Sequence, residues 1–166
     1  MGLFSPTLID LARRLIDVSL KTNSKIVTSE SCTGGLIAAC LTEISGSSQV
    51  FDRSFIAYSN EAKTEMLGVP SKVLTRHGAV SEQVAMAMAS GALARSHATI
   101  SIAVTGIAGP RGGSLNKPVG LVHIYYVDRS LNTAHLEKVI CGNRQAVRME
   151  TVHLALNLCH EQISIN

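Results

Sequence analysis

The sequence has 166 residues, of which 46% are hydrophobic and 16% are charged, so it can bury the core of one domain and differs from a disordered chain. Its formal charge of +3, without a dense run of lysine or arginine, argues against a nucleic-acid partner, because binding the phosphate backbone needs clustered positive charge. No apolar run approaches the roughly 20 residues of a membrane span, and the first predicted helix is too charged to be a signal segment, so we expect one cytoplasmic domain over residues 1–166 without membrane contact.

The first half of the chain alternates helix and strand signals. Ser5 is the expected N-cap of the first helix, and Pro6 is favoured in the first turn that follows it. Ser59 is a second expected cap, and Gly68 ends the helix that follows it. In chain order we predict a helix over 6–20, a strand over 25–29, a helix over 36–44, a strand over 51–58, and helices over 60–67 and 71–77.

The second half places its strands between two longer helices. Ser81 and Asn143 are the expected N-caps of these helices. We predict a helix over 82–96, strands over 99–104, 120–127 and 133–140, and a last helix over 144–159. Helices between the early strands imply parallel crossovers and the last two strands imply a hairpin, so we expect an α/β fold whose mixed sheet is covered on both faces.

Two loops leave the ends of predicted strands and are candidate ligand sites. The first, 28–35, reads TSESCTGG and joins a strand to a helix, where unpaired N–H groups can hold a phosphate or stabilise an oxyanion. Ser31 and Cys32 are both candidate nucleophiles in this loop, and the pattern does not choose between them. The second, 105–113, has four glycines in nine residues, which is more than a simple turn needs.

The cysteines do not indicate a metal site. They form no Cys-x-x-Cys pair, and no histidine follows them at a spacing typical of zinc binding. We expect reduced, mostly buried thiols at Cys32, Cys40, Cys141 and Cys159.

Five sequence blocks occur in one order: ESCTGG at 30–35, YSNEAK at 58–63, HGAVSE at 77–82, TGIAGP at 105–110 and KPVG at 117–120. Together they resemble the CinA C-terminal domain family, the nicotinamide-nucleotide amidohydrolases, over residues 8–158. The resemblance implies a three-layer α/β/α sandwich with a mixed, mostly parallel sheet of about five strands, usually found as a homodimer. It also implies that nicotinamide mononucleotide (NMN) is hydrolysed to nicotinate mononucleotide and ammonia in pyridine-nucleotide recycling, with no metal and no cofactor.

By motif match, the resemblance implies that Ser31 is the nucleophile and Lys63 its base, with Tyr58 and Thr105 nearby. A serine hydroxyl needs a partner that accepts its proton, and no Ser-His-Asp arrangement stands out among the six histidines. A lysine base must be neutral part of the time, and burial would lower its pKa from about 10.4. Tyr58 could stack on the pyridine ring or pass a proton.

Several further residues are expected to contact the substrate. Ser29 lies two residues from Ser31, on the same side of a continuing strand. The N–H groups of the following turn are candidates for the oxyanion hole or a phosphate site, and Arg144 is the first choice for the substrate phosphate. The complete set assigned to substrate binding is Ser29, Thr33, Gly34, Gly35, Thr105, Gly106 and Arg144.

Two alternatives remain open at this level. The domain could bind a nucleotide without turning it over, as a sensor or an assembly partner in competence or DNA-damage responses. Alternatively, the enzyme could use Cys32 rather than Ser31 as its nucleophile.

Overall fold

Helices and strands alternate through the first half of the chain, and a hairpin precedes the last helix. The computed structural model describes residues 2–165. The helices are α1 (Pro6–Lys21), α2 (Leu36–Thr42), α3 (Asn60–Leu67), α4 (Ser71–His77), α5 (Glu82–Ala94) and α6 (Arg144–Ile165), with a short 3-10 turn at Ser47–Gln49. The strands are β1 (Ile26–Glu30), β2 (Phe51–Ile56), β3 (Ile100–Gly106), β4 (Leu121–Asp128) and β5 (Thr133–Val139).

The five strands form one mixed sheet in the order β2-β1-β3-β4-β5. The central strand β1 pairs in parallel with both β2 and β3. The pairs β3–β4 and β4–β5 are antiparallel, so β4 alone runs against the other four strands. The prediction of a mixed, mostly parallel sheet of five strands is therefore confirmed.

Helices cover both faces of the sheet, which makes the three layers. One face packs against α1, α2 and α6, and the other against α5, with α3 and α4 lying beside α5. Helix α5 approaches α3 closely because Gly91 has no side chain, and a Cβ there would collide with the carbonyl of Leu67. This contact fixes the helix that carries Lys63.

The observed boundaries differ from the predicted ones where tertiary contacts decide them. Helix α6 continues six residues beyond position 159, to Ile165, because Ile163 is buried in the same core as α1. Strand β3 continues to Gly106, which pairs with Val122 of β4. Within residues 2–165, no helix is both long enough and apolar enough to cross a membrane.

The sheet order creates a crevice at the carboxyl ends of β1 and β3. The chain leaves β1 towards α2 and β2, and it leaves β3 in the opposite direction, towards β4. The two loops therefore diverge, and open α/β sheets bind their ligands at such a point.

Candidate active site

A cavity of about 250 Å³ lies at this crevice. Six of the predicted site residues line it: Ser31, Tyr58, Lys63, Thr105, Gly106 and Arg144. Its other lining residues are Cys32, the alternative nucleophile, five members of the candidate loop 105–113, and three residues outside the two candidate loops: Cys32, Ile107, Ala108, Gly109, Arg111, Gly112, Asn60, Ala79 and Val80. A larger cavity of about 620 Å³ lies between α1, the end of β5 and α6. It contains none of the predicted catalytic side chains, so we place the candidate site in the smaller one.

A lysine and a serine meet in this cavity. Lys63 Nζ lies 3.1 Å from Ser31 Oγ and 3.0 Å from the carbonyl oxygen of Tyr58. Only 1% of Lys63 is exposed, and within residues 2–165 no carboxylate forms an ion pair with it. Burial lowers the pKa of Lys63 from its usual 10.5, because removing an ammonium group from water disfavours the charged form. Lys63 can therefore present a neutral amine to the serine.

Local sequence explains how Lys63 reaches Ser31. The Ser59 side chain caps α3 by accepting a hydrogen bond from the N–H of Ala62, which sets the start of the helix. Lys63 is the fourth residue of α3 and one of its two buried residues. The N–H of Ser31 donates to the carbonyl of Val104, so Ser31 continues the pairing of β1 with β3 by one residue.

The turn after Ser31 is held by a residue from the last helix. Arg148 donates through Nε to the carbonyl of Cys32 and through Nη2 to the carbonyl of Thr33, each at 3.0 Å. The sequence did not predict this role for Arg148. Arg148 therefore fixes the turn that follows Ser31.

Glu30 corrects the expectation for the glycine-containing turn. Its buried carboxylate accepts hydrogen bonds from the N–H groups of Gly35, Ile37 and Ala38 and from the hydroxyl of Thr33. The N–H of Gly34 donates to the carbonyl of Ser31. The N–H groups of Gly34 and Gly35 therefore already have acceptors, and none of Thr33, Gly34 and Gly35 lines the cavity, which argues against the predicted oxyanion or phosphate site in this turn.

Replacing Glu30 with glutamine is expected to lower the free energy of unfolding by about 2–4 kcal/mol. The NH₂ group of glutamine is a donor, so it would face N–H groups of α2 that now bind a carboxylate oxygen. Urea denaturation measures the change. Glu43→Gln, at an exposed position just after the same helix, is the matched control and should shift stability by less than about 0.5 kcal/mol. Equal stability of the two variants would contradict the capping role.

Ser29 is also placed differently from the expectation. It is fully buried in β1, and its hydroxyl has no hydrogen-bond partner within residues 2–165. It does not line the cavity. The strand alternation that predicted a shared face with Ser31 does not bring Ser29 to the end of the strand, where the cavity lies.

The open side of the cavity is cationic. Arg144 donates through Nη1 to the carbonyl of Gly109 at 2.9 Å and through Nη2 to the hydroxyl of Tyr58 at 3.0 Å. Arg111 also lines the cavity, and no Asp or Glu among the described residues does. Since a guanidinium has five N–H donors, Arg144 retains donors for an anionic ligand.

Cys32 lines the cavity beside Ser31, but its chemistry differs. The side chain is buried, and burial raises the pKa of the Cys32 thiol to about 11. The thiolate is the nucleophilic form of cysteine, and burial disfavours it here. This favours Ser31 over Cys32 as the nucleophile.

The segment 77–80, here called the wall, borders the cavity through Ala79 and Val80 and was not assigned to the site from the sequence. Thr105 Oγ1 donates to the carbonyl of Ala79 at 2.8 Å. Lys117 Nζ donates to the carbonyls of His77 and Val80 at 2.5 and 2.7 Å. The HGAVSE and KPVG blocks therefore meet in the structure, although 40 residues separate His77 from Lys117.

Comparison with known proteins identifies the family. The sequence model of the CinA C-terminal domain matches residues 8–163. Nicotinamide-nucleotide amidohydrolase PncC from Escherichia coli (strain K12) is 40% identical over 159 residues, which cover 96% of each chain. The crystal structure of competence/damage inducible protein CihA from Agrobacterium tumefaciens superposes with a TM-score of 0.92 at 51% identity, over 95% of this chain and 96% of that one.

Other curated relatives are longer. A CinA-like protein from Colwellia psychrerythraea is 55% identical over 112 residues, which cover 68% of this chain and 26% of that protein. The matched segments span between 26% and 36% of the length of three such relatives. The family match itself extends over nearly all of the described residues, and the chain belongs to the CinA C-terminal domain family.

Proposed function

We propose that this chain hydrolyses the carboxamide of NMN to give nicotinate mononucleotide and ammonia, with Ser31 as nucleophile. The observation that carries the proposal is the buried Lys63 amine, 3.1 Å from Ser31 Oγ. Amide hydrolysis requires a nucleophile and a base that also returns a proton to the leaving amine. A relative of nearly the same length, 40% identical, is named for activity on nicotinamide nucleotides, which supports this substrate class.

In the first half-reaction, neutral Lys63 accepts the hydroxyl proton of Ser31 while Oγ attacks the amide carbon. The C–N bond of the tetrahedral intermediate then breaks, and the leaving nitrogen takes the proton from Lys63 and departs as ammonia. The acyl group remains as an ester on Ser31. The carbonyl of Tyr58, 3.0 Å from Nζ, holds one amine hydrogen, which leaves the nitrogen lone pair for the serine.

In the second half-reaction, water takes the place of ammonia. Lys63 accepts a proton from this water as its oxygen attacks the ester carbon, and it then returns the proton to Ser31 Oγ. The products are the pyridine carboxylate and the original Ser–Lys pair. The same two side chains serve both halves, so the net reaction consumes one water and releases one ammonia.

Arg144 is the proposed phosphate ligand at the mouth of the cavity. Its hydrogen bond to the Tyr58 hydroxyl places the guanidinium beside an aromatic ring that is 61% exposed and free to contact the pyridine or ribose. The absence of acidic lining residues in the described chain favours an anionic substrate, because no carboxylate would repel its phosphate.

Replacing Arg144 with methionine is expected to raise KM for NMN about tenfold, because a charge-assisted hydrogen bond to the phosphate is lost. Nicotinamide riboside has no phosphate, so its KM, or its inhibition constant if it is not turned over, should change less than about twofold. Arg76→Met, at an exposed position in α4, is the control. Equal losses for both ligands would argue that Arg144 acts only through Tyr58 and the loop at Gly109.

The proposal as a whole is tested by measuring ammonia released from NMN by the purified protein, with chelator present. Turnover supports it. A folded protein that binds NMN without releasing ammonia would overturn it in favour of the nucleotide sensor, and calorimetric titration with NMN separates that outcome from a failure to bind.

A further inference from the structure

Every backbone carbonyl of the cavity wall from His77 to Val80 accepts a hydrogen bond from a side chain. Lys117 donates to the first and the last carbonyl. The hydroxyl of Ser81 donates to the carbonyl of Gly78, and the hydroxyl of Thr105 donates to the carbonyl of Ala79. The wall is therefore fixed by side chains from three separate parts of the chain rather than by its own backbone.

Gly78 is adapted to this arrangement. Its φ of +74° lies in a region that favours glycine, and a Cβ there would lie 2.9 Å from Lys117 Nζ. A side chain at this position would be strained and would displace the ammonium group. Lys117 can approach the wall this closely because residue 78 is a glycine. The contact therefore depends on residues of both the HGAVSE and the KPVG blocks.

The contact with Ala79 decides what Thr105 can do for a ligand. A threonine hydroxyl has one proton and two lone pairs. The proton is committed to the Ala79 carbonyl at 2.8 Å, so Oγ1 can act only as an acceptor towards a molecule in the cavity, which Thr105 lines.

Thr105 also lies beside the proposed nucleophile. Glu30 of β1 pairs with Val104 of β3, and the N–H of Ser31 donates to the Val104 carbonyl. Ser31 and Thr105 are therefore the next residues on two adjacent parallel strands. A carbonyl carbon placed at Ser31 Oγ would therefore lie beside the position of the neighbouring strand that carries Thr105, and both residues line the same cavity.

The family resemblance already implies that Thr105 contacts the substrate; we propose that this contact is a hydrogen bond accepted from the amide N–H, and that Lys117 is a positioning residue which fixes Thr105 for this task through the wall at 77–80. This inference rests on the proposed amidohydrolase function. It makes the site selective for a carboxamide that carries an N–H over an ester of the same acid, which has no N–H to donate. It also favours product release, since the carboxylate product has no such donor either.

The test compares NMN with the methyl ester of nicotinate mononucleotide as substrates of the same enzyme. The measured quantity is the ratio of kcat/KM for the amide to kcat/KM for the ester, after subtraction of spontaneous ester hydrolysis. This ratio does not depend on the concentration of active enzyme, so partial unfolding of a variant leaves it unchanged.

Thr105→Val, which keeps the shape but removes the hydroxyl, is expected to lower the amide-to-ester ratio about tenfold, the size of one hydrogen bond. Thr105→Ser keeps the hydroxyl and should stay within about twofold of the wild type. Lys117→Met should lower the ratio about three- to tenfold, because the wall loses the charged donor of two hydrogen bonds. Lys72→Met, an exposed lysine in α4, is the matched control.

An unchanged ratio in Thr105→Val, with both substrates turned over, would overturn this inference and leave the proposed function standing. An unchanged ratio in Lys117→Met alone would remove the positioning role of Lys117. A wild-type protein that hydrolyses neither substrate would overturn both the inference and the function on which it rests.

Discussion

Replacing Ser31 with alanine is expected to lower kcat for ammonia release from NMN by at least about 1,000-fold. The substitution removes the hydroxyl that lies 3.1 Å from the Lys63 amine and would leave the proposed base without a nucleophile. It leaves the N–H of residue 31 bound to Val104, so the strand and the turn should persist. Steady-state ammonia release measures the loss, and circular dichroism checks the fold.

Two neighbouring substitutions make this result specific. Ser29→Ala removes a buried hydroxyl that lies outside the cavity, so it should change kcat less than about threefold. Cys32→Ala should also retain most of the activity, because burial raises the pKa of this thiol to about 11. A Ser31→Ala enzyme that keeps more than a tenth of the activity, with Cys32→Ala inactive, would transfer the nucleophile role to the cysteine.

Local interactions explain which parts of the fold were predictable. The side chains of Ser5, Ser59 and Ser81 each accept a hydrogen bond from an N–H in the first turn of the following helix, as their sequence positions indicated. These contacts span three residues, so the sequence alone contains them. The ends of α6 and β3 depend on burial of Ile163 and on pairing with Val122, which are contacts between distant segments.

The same distinction between local contacts and contacts of distant segments applies to the site. The sequence motifs indicated Ser31 and Lys63, and the fold brings the two side chains together across 32 positions. The turn at 33–35 was expected to offer unpaired N–H groups to an anion. In the structure, N–H groups at the start of α2 donate instead to the carboxylate of Glu30. Strand alternation offered a clue, since Glu30 and Ser31 must point to opposite faces of β1.

Some contributions have no local signal. Arg148 binds the turn after Ser31 from more than 100 positions away. Lys117 holds the wall at 77–80 from the KPVG block, a motif to which the sequence assigned no function. Both side chains act on backbone carbonyls, which every residue has, so no residue type in the partner segment reveals the pairing.

Replacing Lys63 with methionine is expected to lower kcat by at least about 1,000-fold, because Ser31 loses the group that accepts its proton.

The pH dependence of the wild type should identify the base. In the proposed mechanism Lys63 acts in its neutral form, so kcat/KM should rise with pH and level off above the Lys63 pKa, which burial lowers from 10.5. The residual activity of Lys63→Met should lack this rise. A wild-type rate that is flat or falls over the same pH range would contradict a lysine base.

The same substitution should make the folded protein more stable at neutral pH. The pKa of Lys63 is lower in the folded chain than in the unfolded one, so between these two values the unfolded state binds more protons and stability rises with pH. Below the folded pKa the full cost of burying an ammonium group remains. Methionine has no charge to bury, so thermal unfolding of the variant should show a higher Tm than that of the wild type near pH 7. The difference between the two Tm values should shrink as the pH rises towards 10.5. A gain in stability coupled to a loss of turnover would separate the role of Lys63 in catalysis from any role in folding, whereas a lower Tm for Lys63→Met would contradict the cost assigned to its burial.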